Sequence, residues 1–112
     1  MKSAPIPPNE IDRLAALSEA ALLDTPHETP FDDLTKLAAR ICGVPIALVS
    51  LIDTNRQWFK SSVGLAASET PRDLAFCAHA ILEENVFVIP DAGLDDRFFD
   101  NPLVTGEPNV RF

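Results

Sequence analysis

The seven residues Ile46 to Ile52 form a nearly continuous apolar run, in which Ile46, Leu48, Ser50 and Ile52 alternate with Ala47, Val49 and Leu51. A run this short and this uniformly apolar suits a strand covered on both faces. It therefore predicts a central strand rather than an edge. Asp53-Thr54-Asn55 supplies turn residues, and Arg56 to Val63 returns with mixed polarity until Gly64 ends it, so residues 46–63 read as a β-hairpin. The rest of the chain has to supply what covers that hairpin.

Helices on either side are the available cover. Residues 1–9 hold Pro5, Pro7 and Pro8 and read as an extended lead-in. Asn9 is a candidate N-cap, and Ile11, Leu14, Ala15, Leu17, Ala21 and Leu22 make an apolar stripe that predicts a helix over 10–22. Asp24-Thr25-Pro26 breaks it. Thr29-Pro30 restarts a second helix whose apolar face is Phe31, Leu34, Leu37, Ala38 and Ile41, with Gly43 as its stop. After the loop through Ser68 to Asp73, residues 74–84 predict a third helix, with Leu74, Ala78, Ile81 and Leu82 on one face. Val86 to Ile89 reads as a short strand closed by Pro90-Asp91. Asp95 to Asp100 reads as one helical turn, and Asn109 to Phe112 as the opening of another strand. This order defines an α+β domain, helices packed on a mainly antiparallel sheet. At 112 residues the chain is long enough for one core with little stability to spare.

Charge excludes some functions. The net charge is −8, most of it in residues 83–112, which argues against a nucleic-acid partner, since phosphate backbones need clustered cations. No apolar run reaches the ~18 residues of a membrane span, and there is no signal-peptide stretch, so a cytoplasmic chain is expected. Cys42 and Cys77 sit in apolar segments and are expected to be buried thiols. Cys77-Ala78-His79 is the one thiol–imidazole neighbourhood. Residues two apart on a helix point about 200° from each other around its axis, so these two cannot share one ion. The carboxylates Asp91, Asp95, Asp96 and Asp100 lack the spacing of a calcium loop and suit helix-turn capping instead. Trp58 and Phe59 point to opposite faces of their strand. Phe76, Phe98 and Phe99 fall where a pocket between helix and sheet would form, with Arg72, His79 and Arg97 to supply polar groups. No phosphate loop, nucleophile elbow or paired-carboxylate signature occurs.

Taken together, Leu22 to Pro26, Phe31 to Thr35, Ile41 to Asp53, Arg56 to Ser61, Glu69 to Asp73, Phe76 to Ile81, Val88 to Ala92, Asp96 to Phe98 and Asn101 to Gly106 resemble one family. These are the GAF-domain sensor modules of bacterial sensor histidine kinases and of cyclic-di-GMP synthases (diguanylate cyclases) and phosphodiesterases. The resemblance covers residues 10–112 and implies a GAF-like antiparallel sheet with packed helices, incomplete at its C-terminal end because the family continues past Phe112 into further strands and a closing helix. It implies a regulatory, non-catalytic module for an unidentified small molecule, with no metal or cofactor, acting on a kinase or cyclase domain in cis. The pocket positions carried over by place are Trp58, Arg72, Phe76, Cys77, His79, Arg97 and Phe98. By the family's strand order the missing strands would leave a gap beside residues 46–52, which implies a homodimer or self-association through an open sheet. The alternative is a thiol enzyme, since one branch of this fold reduces free methionine sulfoxide with pocket cysteines, which requires a resolving partner for Cys77.

Overall fold

Antiparallel pairing of the predicted hairpin organises the structure, a computed structural model describing residues 2–112. Strand β1 (Ala47–Ile52) runs against β2 (Arg56–Val63), from Ala47 opposite Val63 to Ile52 opposite Gln57. A third strand, β3 (Glu69–Pro71), absent from the sequence reading, pairs with the start of β2, Arg56 opposite Pro71. The order is β1-β2-β3, so β2 is central and β1 is an edge strand. This corrects the expectation for residues 46–52. The run is apolar because both of its faces are covered, which is a separate matter from having a strand on each side.

Helix α2 (Thr29–Cys42) covers one face, and the short α3 (Cys77–Ala80) lies on the other, where Ile52 packs with Ala75 and Ala78. An extra residue in β2 gives the sheet its local twist: Val49 faces Ser61 and Ser50 faces Phe59, which leaves Lys60 unpaired between them as a bulge. The bulge lets Lys60 and Ser61 both serve the α2 side. Lys60, fully buried, donates to Thr25 Oγ1 at 2.7 Å and Pro26 O at 2.6 Å and pairs with Glu28 at 2.6 Å. The Ser61 hydroxyl meets the Thr35 hydroxyl at 2.8 Å and the Asp32 carboxylate. Arg56 adds a bidentate pair to Asp24 at 2.9 and 2.7 Å. Thus the Asp24-to-Glu28 linker is fastened to β2 by charge.

These bonds set the rotation of α2. Thr35 is its one buried residue, while Leu34, Leu37 and Ile41 of the expected inward face are exposed. Gly43 ends the helix at φ +62°, as read, and Cys42 beside it is exposed, against expectation. Helix α1 (Glu10–Ala20) buries none of its residues, and Asn9 precedes it without a side-chain cap. Its hold is ionic. Glu10 accepts from Arg13 and from Arg72, and Arg13 donates to the Ile52 carbonyl.

The C-terminal part departs most from expectation. The predicted 74–84 helix is a 3-10 turn at Arg72–Leu74, an extended Ala75 (ψ 124°) and the single turn of α3. Residues 86–89 and 109–112, expected as strands, join no sheet among the described residues, and Asn109 sits at φ +60°, which no strand accommodates. Val110 N instead donates to Leu103 O, and Ala92 N to Arg111 O. Short elements fill the space between: a 3-10 turn at Ala92–Leu94, the expected turn opened by Asp95, and α4 (Pro102–Thr105), capped by Asn101. Ala92, Phe98 and Val104 form a second core with Phe76, Phe87, Ile89 and Val110.

Candidate functional site

Where the second core meets α3 it is not completely filled. A cavity of about 230 Å³ is walled by Phe76, Cys77 and Ala80 on one side and by Phe87, Ile89 and Ala92 on the other. Val110 and Phe112 complete it. Local pattern explains the far wall, because alternation along Val86-Phe87-Val88-Ile89 turns Phe87 and Ile89 inward and leaves Val86 and Val88 exposed, even without a ladder. Small residues at 80 and 92 leave the space. None of the lining side chains is charged. The one polar side-chain atom is the Cys77 thiol, which takes the Ser50 hydroxyl at 3.2 Å.

Aromatic contacts stiffen the floor. Phe98, 1% exposed, meets the Phe76 ring at 4.5 Å and the edge of His79 at 4.8 Å. Arg97 lies 5.1 Å from the rings of both Phe87 and Phe98. Its guanidinium is engaged by Asp95 at 2.9 and 2.7 Å, and that hydrogen bond holds the Asp95 carboxyl down at about 2. His79 Nε2 meets the Lys2 carbonyl, away from the thiol of Cys77. Among the described residues no group of three His, Cys, Asp or Glu is placed to hold a metal ion.

Five of the seven positions expected at the pocket therefore gather here: Phe76 and Cys77 in the wall, and His79, Arg97 and Phe98 behind it. The other two lie elsewhere. Arg72 is buried in a clamp with Glu10 at 2.7 Å and the Asp53 carbonyl at 3.0 Å. Trp58 stands opposite Leu51, which the pleat assigns to the α2 face of the sheet. The lining residues Phe87, Ile89, Ala92 and Val110 were absent from the expected set. Alternation at 86–89 was legible, but which segment it faced depends on contacts distant in sequence. Cys42 and Cys77 are carried by helices on opposite faces of the sheet, so Cys42 is not positioned to resolve a Cys77 intermediate.

The structure thus joins a small antiparallel sheet, with helices on both faces, to an uncharged cavity beside α3. A family model described as GAF domain matches residues 26–112, and the chain belongs to that family. Over all 112 residues it is 44% identical to a Pseudomonas aeruginosa protein named as a cyclic di-GMP phosphodiesterase, of which it spans 19%. The chain is a GAF sensor module of signal transduction, and the free methionine sulfoxide reductase alternative is not favoured. No helix among the described residues is long and apolar enough to cross a membrane.

Proposed function

We propose that this module senses a compact apolar or aromatic molecule held in the α3 cavity and regulates an output domain on the same polypeptide, in the cytoplasm. The turnover of a cyclic dinucleotide, the activity named for the relative, is the output this reading favours. The observation that carries the proposal is the lining: a cavity of about 230 Å³ walled by apolar and aromatic side chains, with no charged one among them to meet a phosphate. A dry apolar cavity of about 150 Å³ holds a benzene-sized guest, so this one suits a fused two-ring molecule. Phe76 and Cys77 would touch it, Phe98 and His79 would support the wall, and Arg97 would fix Phe87.

Thermal unfolding with indole as the probe tests this. Free ligand at about 100 times its dissociation constant adds ~2.7 kcal/mol of stability, a rise in melting temperature of several degrees. Ala80→Leu, which fills the cavity, should abolish the rise while keeping a cooperative melt. An equal rise in the variant, or stabilisation by cyclic di-GMP with none by indole, would overturn the reading.

A further inference from the structure

We propose that residues 2–8, the proline-bearing lead-in, are a strap that ties the elements around the α3 cavity together and sets how tightly the cavity is closed. What this means for a bound molecule rests on the cavity reading above, whereas the bracing itself does not. Pro5, Pro7 and Pro8 fix φ along the run, so laying it down as an extended chain costs less conformational entropy than docking an unrestrained segment.

Both backbone groups of Lys2 are engaged behind the cavity. Its N–H donates to the Arg97 carbonyl at 3.2 Å, and its carbonyl accepts from His79 Nε2 at 3.1 Å. A carbonyl only accepts, so Nε2 carries the ring hydrogen. His79 belongs to α3, which gives Cys77 and Ala80 to one wall, and Arg97 precedes Phe98, whose ring supports Phe76. Lys2 therefore links α3 to the 97–98 turn. Further along, Ala4 packs on the core of Ile52, Ala75 and Ala78, as Cys77 and Ile81 do. Pro7 is the one buried residue among residues 2–20, α1 included, and its carbonyl takes the Glu10 N–H at 3.1 Å.

Elements tied together at their back have less freedom to part. By reciprocity, whatever affinity a cavity occupant gains from the docked strap, the strap gains from the occupant. No strap residue lines the cavity, so the strap can be altered without altering the lining.

The half-buried thiol of Cys77, in the cavity wall, reports closure without any ligand. Cys42→Ser leaves it as the single thiol, and its reaction with dithionitrobenzoate is followed in the full chain, after deletion of residues 2–4, and in Ala4→Asp. The deletion removes no buried residue, so a cooperative melt should persist. Ala4→Asp sets a charge against the apolar core and lifts the strap by a different route. Both should speed the reaction about tenfold or more through local opening. Indole should bind the deleted chain weaker by a similar factor. An unchanged Cys77 rate in both variants, or an acceleration no larger than their loss of global stability in urea accounts for, would overturn the proposal. If Cys77 accelerates while indole binds neither chain, the bracing stands and the cavity reading falls.

Discussion

Glu10 does more for this fold than a residue in the first turn of an unburied helix would suggest. It takes hydrogen bonds from Arg72 and Arg13, which lower its carboxyl from 4.5 to about 2. Its contribution is therefore complete above pH ~4.5 and is lost as pH falls towards 2. Glu10→Gln should cost about 2 kcal/mol at neutral pH, as expected for hydrogen bonds to charged groups, and should flatten the pH dependence of urea unfolding between 4.5 and 2. An unchanged slope would deny the clamp its role. The two turn glycines offer a second prediction. At Gly64, φ is +78° and a Cβ would come 1.9 Å from the Pro45 carbonyl oxygen, whereas at Gly43, φ is +62° with nothing within 4 Å. Gly43→Ala should cost about 1 kcal/mol, the left-handed conformation alone, and Gly64→Ala clearly more, because the backbone must also move. Both stops were legible in the sequence. The partner of Glu10 was not, since Arg72 lies 62 residues away.

Elements with their own local signals matched expectation, and those that depend on distant partners did not. Both strands of the hairpin, α1 and α2 follow from periodicity, turn residues and Gly43. β3 has only three residues and exists because β2 has a free edge there. The helix expected over 74–84 yields to the extended Ala75, and Val86 to Ile89 keeps its alternation without a neighbouring strand. The linker between α1 and α2 is a further case, because Lys60 would read as an outward strand position and the bulge turns it inward. Lys60 is fully buried while Glu28 is 51% exposed, so losing Glu28 strands a buried ammonium, whereas an apolar residue at 60 leaves a carboxylate that water can reach. Glu28→Ala should thus destabilise the chain more than Lys60→Met, as read by denaturant midpoints. Limited proteolysis should nick residues 24–28 faster in both. The reverse order of stabilities would show that the lysine is held by its neutral partners alone.

At the scale of the molecule there are two small cores, one between sheet and α3 and one under the C-terminal loops, and the cavity opens where they meet. The α+β class and the family were legible because many short motifs agree. Five of the seven pocket positions gather around the cavity because Phe76 to His79 and Arg97-Phe98 are each local clusters. Trp58 and Arg72 lie apart because strand pleat and a distant carboxylate decide where they point. The central claim is that an apolar molecule occupies this cavity. A two-dimensional amide NMR titration of the chain with indole, beside a matched titration with cyclic di-GMP, tests it most directly. The account predicts saturable shifts confined to residues 76–80, 87–92 and 110–112 with indole and none there with the nucleotide. Shifts scattered over the surface with indole, or a saturable nucleotide response around Arg72, would contradict it.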